Sequence, residues 1–296
     1  MNNIEIRQND KDILDLLFLQ RKMYDSSKMC WRLGWFIAIT LVIVNIICQV
    51  LNLNSDIIIF IVAVMNLGII IFESLANRNQ NIGAITKGYI DNILFEMNNI
   101  YNEHTLNRIR ELAIIYKDKY PKQYQVQINN TGKDDPPGIR DWYIVSHGGN
   151  KKSIIYECQK QNVWWNGKLS KLYLYILIST IVFFAVISLF VFSVLNISIR
   201  SAALMYFANF GIVVKALKDV ISGYRYYSYY TKANEDIMMI DKTLDESIIT
   251  NSQINILQDN INEIRKIQFL VPDFLHTLMS KKYHKLYCDC NLQVMK

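Results

Sequence analysis

The sequence predicts an all-α membrane protein: four transmembrane helices arranged as two hairpins, with a mainly helical cytoplasmic domain formed by the middle insert and both termini. Three observations predict it. Apolar runs cover Leu33 to Leu51, Ile57 to Leu75 and Leu172 to Leu195, and a weaker one covers Ala202 to Leu217. A bilayer core of about 30 Å takes about 20 apolar residues at a 1.5 Å rise, so the first three are long enough and the fourth is marginal. The runs come in pairs joined by short turns, Asn52 to Asp56 and Asn196 to Ser201. Finally, a chain with 51% hydrophobic and 20% charged residues is too apolar for a soluble protein of this kind and too charged for a bare helix bundle.

The basic residues set the orientation, because cytoplasmic flanks retain Lys and Arg. The N-terminal arm carries six, the first turn none, residues 76–171 fourteen, the second turn only Arg200, and the remainder eleven. Both termini and the long insert are therefore expected on the cytoplasmic side. The expected parts are a cytoplasmic N-terminal helix (1–32), a first hairpin (33–75), a cytoplasmic insert (76–171), a second hairpin (172–217) and a C-terminal helical region (218–296). The net charge of +6 is accounted for by this bias and by anionic headgroups, without DNA or RNA as a partner. No small-residue cleavage site follows the first run, so it is expected to be a retained anchor and not a secretory signal.

Taken in order, Asn9 and Asp10 are cap candidates ahead of Ile13, Leu16, Leu17, Met23 and Tyr24, which recur at helical spacing and lead into the first span. Residues 77–120 read as two helical stretches broken around Asn98, Asn99 and Asn102. The chain then turns polar, with Pro136, Pro137 and Gly138 excluding helix and Gln125 to Asn129 suggesting at most a short strand. From Ser153 a helix feeds the third span. Tyr224, Tyr226, Tyr227, Tyr229 and Tyr230 follow the fourth, where phenol rings favour the headgroup level. In the tail, Ile254, Leu257, Ile261 and Ile264 stand at heptad spacing ahead of Pro272, enough for a packed helix or a short oligomeric contact.

Polar residues inside the spans are the candidates for interhelical bonds or for the lining of a pore: Asn45, Asn66, Glu73, Asn209 and Lys215. Counted from the outer ends of their spans, Glu73 and Lys215 lie ~24 Å and ~20 Å down, near the inner headgroups. There they either pair across the second and fourth helices or Lys215 snorkels. The phosphate-loop, dinucleotide, zinc-protease and nucleophile-elbow motifs are missing, and the protein is not expected to be an enzyme or to need a cofactor. His147 is a lone loop histidine. Five cysteines (Cys30, Cys48, Cys158, Cys288 and Cys290) are an odd number and argue against a disulfide framework. His276, His284, Cys288 and Cys290 stand close in the closing segment, but their spacing fits no standard zinc pattern and no metal is expected.

Three stretches carry a resemblance. IEIRQND followed by QRKMYDSSK near the start, the loop DDPPGIRDWY, and CQKQNVWWNGKLSKLY ahead of the third span together resemble the SMODS-associating four-transmembrane effectors of bacterial antiphage defence. The likeness runs along the chain in the order two spans, cytoplasmic region, two spans. It implies a pore-forming effector of the inner membrane that works beside a cyclic-oligonucleotide synthase, a nucleotidyltransferase, and disrupts the membrane when infection is sensed. A small transporter, or a membrane-anchored scaffold or receptor without pore activity, is the alternative.

Such a role carries physical requirements. Four packed helices fill their own centre, so a conducting path forms between protomers and a homo-oligomer is expected. A cyclic oligonucleotide needs cations for its phosphates and aromatic faces for its bases. Arg140, Trp142 and Tyr143 in the loop, with Lys160, Trp164, Trp165 and Lys168 before the third span, are the candidates. For these the competing role is structural: Trp164 and Trp165 as interfacial anchors, Trp142 and Tyr143 as core. A reporter fused to either terminus, or inserted near Lys133, is expected to stay inaccessible from the periplasm; labelling of any of the three by an impermeant reagent would overturn the orientation.

Overall fold

The computed structural model describes residues 3–51, 56–98, 100–143, 150–194, 210–243, 249–272, 274–275 and 278–279. The helices among them are α1 (Asn3–Arg7), α2 (Lys11–Val50), α3 (Asp56–Phe95), α4 (Glu103–Lys119), α5 (Pro121–Asn129), α6 (Lys151–Val194), α7 (Phe210–Thr243) and α8 (Asn251–Lys266). Among the described residues the one β-type pairing is an isolated bridge between Thr131 and Arg140. Helices α2, α3 and α6 contain stretches long and apolar enough to cross a membrane. Of the fourth apolar run only residues 210–217 are described, at the start of α7; Asn209, His147 and the His276, His284, Cys288, Cys290 group lie outside the described residues.

The chain divides into two compact units. An apolar unit comprises Lys28–Asn77, Trp165–Tyr227 and Gln268–Lys296; a polar unit comprises Met1–Ser27, Arg78–Trp164 and Ser228–Ile267. In the apolar unit Ala38, Leu41 and Ile69 form a buried cluster, with Ile37, Val62, Met65 and Ile212 packed on it. The large side chains pointing away from that cluster are uncovered: Phe60 and Phe190 are each 69% exposed. A protein in water avoids a continuous apolar exterior of this kind, whereas in lipid it is the expected one. Gly223 permits close helix packing, because a Cβ there would lie 2.7 Å from side-chain atoms of both Leu174 and Phe269. The Phe269 ring rests 5.1 Å from that of Tyr173 and 5.6 Å from that of Tyr226.

The polar unit is built on ordinary helix signals. Asn102 caps α4 by accepting from the Thr105 N–H at 2.8 Å, and Thr250 with Gln253 forms a capping box on α8. The heptad positions Ile254, Leu257, Ile261 and Ile264 are all buried, and α8 stops before Pro272. The short strand expected at Gln125 to Asn129 is instead part of helix α5. Pro121 supplies a helical φ in its first turn. The alternating Gln-Val-Gln-Ile pattern misleads because the inward face is Tyr124 and Ile128, four residues apart, while Val126 is 40% exposed. Tyr124 fixes that face, its ring edge-on to Phe18 at 5.3 Å and its hydroxyl donating to Asp15.

After α5 the loop closes on itself. The Ile139 N–H donates to the Gln127 carbonyl (2.8 Å), that of Gly138 to Thr131 (2.7 Å) and that of Arg140 to Asn130 (3.1 Å). A Cβ on Gly138 would fall 1.8 Å from the Asn130 carbonyl oxygen, so only glycine fits. Asp141 takes a left-handed conformation (φ 49°) and is held by Asn9, which donates to its carboxylate at 2.8 Å and accepts its N–H at 3.1 Å. Arg21 donates to the Pro137 and Gly138 carbonyls.

At the centre of this unit Asp91 is fully buried and accepts from Lys87, from the Tyr143 hydroxyl (2.7 Å), from Arg265 (2.7 Å) and from Gln258 (3.2 Å). The Tyr143 hydroxyl also accepts from Lys87 at 2.7 Å and from Asn162 at 2.9 Å. Burial alone would raise the Asp91 carboxyl, but the charges of Arg265 and Lys87 and the hydrogen bonds outweigh it and hold it at about 2. Burial pushes Lys87 down to about 8 despite Asp91, with Arg265 adding to the fall. Truncating the shared carboxylate strands two buried cations. Asp91→Ala is expected to destabilise the protein by about 3–5 kcal/mol in detergent unfolding, and replacing all three charges by Lys87→Met, Asp91→Leu and Arg265→Met to recover most of that. The Asp91 contribution is complete above about pH 4, the ordinary carboxylate range, and is lost as pH falls towards about 2, so acid sensitivity in this window is expected in the wild type and absent from the triple variant.

Candidate functional site

The polar residues of the apolar unit converge on α7. Lys215 stands one helical turn before Lys218 and Asp219, so all three share a face. Lys215 is 1% exposed and pairs with Glu73 of α3, and Lys218 donates to the other Glu73 oxygen at 2.7 Å and to Gln268 at 2.9 Å. The Lys215 ammonium also lies 5.5 Å from the Trp31 ring centroid and 5.4 Å from that of Trp35, both on α2. The two indole N–H groups donate to one oxygen of Asp219, at 3.0 and 2.9 Å.

The result is two cations, two carboxylates and two aromatic faces with no net charge. Its chemistry is cohesive: the two ammonium groups share the Glu73 carboxylate and the Asp219 carboxylate accepts from two indole N–H groups, so each ionic group in an apolar surrounding has a polar partner. A second polar link lies further along the helices. Asn66 donates to the Val62 carbonyl of its own helix at 3.0 Å and accepts the Gly211 N–H of α7 at 3.1 Å. A Cβ on Gly211 would come within 2.4 Å of that Asn66 oxygen, so the glycine is what permits the contact. Asn45 is also buried.

The residues singled out for a nucleotide do not gather in one place. Arg140 is exposed and lines a cavity of about 430 Å3 in the polar unit, together with Lys11, Lys117, Tyr124 and Asn9. Tyr143 is buried in the Asp91 network, and Trp142 is 39% exposed with its ring 5.7 Å from the Lys87 ammonium. Lys160 pairs with Asp241 at 2.8 Å, and Asp241 also accepts from the Tyr156 hydroxyl at 2.8 Å; burial, and after it this bond, raises the Tyr156 pKa. Trp164 is half-buried in the polar unit, Lys168 is exposed in the apolar unit, and the Trp165 side chain lies outside the described residues.

Sequence reasoning overlooked Trp31, Trp35, Lys218, Asp219 and Gln268. A signal for four of them was available: two tryptophans four apart across the start of the first span, and Lys-x-x-Lys-Asp across the end of the fourth. Among the described residues no group of side chains is arranged to hold a metal ion, and Cys30, Cys48 and Cys158 are free thiols.

A chain whose described elements are all helices, three of them long and apolar enough to span a bilayer, is a multi-span membrane protein. The family model for the SMODS-associating 4TM effector domain matches residues 2–286, nearly the whole length, and the chain belongs to that family. No curated protein and no solved structure matches it. Glu73→Ala and Lys215→Ala are each expected to lower the unfolding midpoint in detergent, with a coupling energy of about 1–3 kcal/mol in the double-mutant cycle; strictly additive effects would show that the pair does not act as one.

Proposed function

We propose that this chain is a membrane effector of antiphage defence which permeabilises the bacterial inner membrane in response to a cyclic oligonucleotide made by a functionally linked nucleotidyltransferase. The observation that carries the reading is the effector-family match over residues 2–286 on a chain with three helices long and apolar enough to span. Defence by membrane disruption needs nothing more from the protein than a switchable path through lipid. In this reading both termini and the insert are cytoplasmic, the side that the lysine and arginine distribution favours, and Arg200 is the one basic residue on the far side.

The side-chain packing of Ala38, Leu41 and Ile69 supports assembly as the route to a path, since side chains fill the space between the described helices at that cluster. Outward residues such as Phe60 and Phe190 then serve two states, facing lipid in one and neighbouring protomers in the other. For the trigger, the cavity beside Arg140 has a volume suited to a small ligand and offers three cations, of which Lys117 is shared with Asp15. Phosphates would be held by Arg140 and Lys11, with the Tyr124 ring beside them.

Purified protein in dye-loaded liposomes is expected to release dye when cyclic oligonucleotides are added and to remain tight without them, and Arg140→Ala is expected to weaken that response. Flux of one specific solute without dye release would indicate a transporter instead, and silence with every cyclic oligonucleotide tried would overturn the effector reading.

A further inference from the structure

A second groove, of about 250 Å3, lies in the polar unit between α3 and α4. Arg78 and Asn81 of α3 and His104 and Arg108 of α4 line it, over a floor that includes Ile82 and Ile109. No carboxylate is in the lining. Arg78, His104 and Arg108 make no hydrogen bond or ion pair with any of the described residues, unlike Arg21, Arg110 and Arg265, which are each engaged. Two guanidinium groups lining one concavity without counter-charges among the described residues offer an anion charge-assisted hydrogen bonds from both sides.

The place of the groove in the chain narrows the anion. Helix α3 runs without interruption from Asp56 to Phe95, and Arg78 stands three residues after Leu75, the last residue of the second apolar run. At 1.5 Å per residue it lies about 5 Å beyond that run, at the level of headgroup phosphates. The isoleucine floor suits the glycerol and first methylenes of a lipid. A nucleotide, by contrast, is held by aromatic rings against its bases, and the lining contains neither Trp, Tyr nor Phe.

We infer that this groove is a binding site for an anionic phospholipid headgroup, with Arg78 and Arg108 gripping the phosphate and Asn81 and His104 donating to its remaining oxygens. The inference uses only the membrane placement of α3 and goes beyond the effector reading. Through this site, occupancy by acidic lipid would tie α4 to the membrane-proximal part of α3.

Native mass spectrometry of the full-length protein in detergent, titrated with phosphatidylglycerol or phosphatidylcholine, tests it. The wild type is expected to retain phosphatidylglycerol in preference, and Arg78→Gln with Arg108→Gln to reduce that retention by more than about tenfold. Arg110→Gln, which removes a cation on the same helix that is already engaged by Tyr89, is expected to leave it unchanged. Because Arg78 and Arg108 are exposed, the double variant is expected to keep its helical circular dichroism. Equal retention of both lipids, or equal loss in the double variant and in Arg110→Gln, would overturn the site, and competition by inorganic phosphate with no preference between lipids would assign the groove to a free anion instead. Dye release in purely phosphatidylcholine liposomes tests the proposed function without any anionic lipid present, so its failure there would leave this inference standing, and loss of the phosphatidylglycerol preference would leave the proposed function standing.

Discussion

Matching of charge inside an apolar environment is the constraint on which the membrane-facing part of this protein rests. An isolated ammonium or carboxylate among helices in lipid is costly, and each of the four here has an immediate answer: Glu73 for Lys215 and Lys218, and two indole N–H groups for Asp219. The cluster draws on α2, α3 and α7 and on Gln268, so it fixes how three long helices and a later segment meet. Apolar contacts such as those around Leu41 and Ile69 carry little directional information in lipid, where hydrocarbon surrounds both the packed and unpacked states. Hydrogen bonds and ion pairs supply the register.

The polar unit solves a related problem with a different balance. Asp91 is one carboxylate between two cations, and the surplus charge is tolerated because Lys87 leans on the hydroxyl and ring of Tyr143 as well. The participants come from α3, the loop after α5, α6 and α8. A unit assembled from three separated stretches of chain needs some bond that closes the circuit, and this network does so at its centre. Gln8 completes it from the N-terminal arm, accepting the Tyr143 N–H at 2.8 Å and donating to its carbonyl at 3.3 Å.

Much of this was legible in the sequence because it follows from length and periodicity. The first three apolar runs lie in helices long enough to span, the break near Asn98 to Asn102 falls between α3 and α4, and the heptad residues of α8 are buried. Short-range alternation was misleading at α5, where nine residues hold too few turns for a period to declare itself and a proline at the start was the better guide. The candidate site was harder to read. Glu73 and Lys215 stood out because charges in apolar runs are rare, but their partners Trp31, Trp35 and Lys218 lie where such residues are common as interfacial anchors, so their helical spacing was the sole local mark of a shared role and was easily passed over. Contacts between segments more than a hundred residues apart, such as Asn66 with Gly211, leave no trace in a single sequence.

The pairing of Trp31 and Trp35 around one ammonium and one carboxylate has an optical side. An indole in its excited state has a large dipole, so its emission reports the field of charges a few ångströms away. With Lys215 over both rings and Asp219 on both N–H groups, the helix junction contains its own spectroscopic probe, sensitive to any rearrangement that pulls α7 away from α2 and requiring no label to be attached.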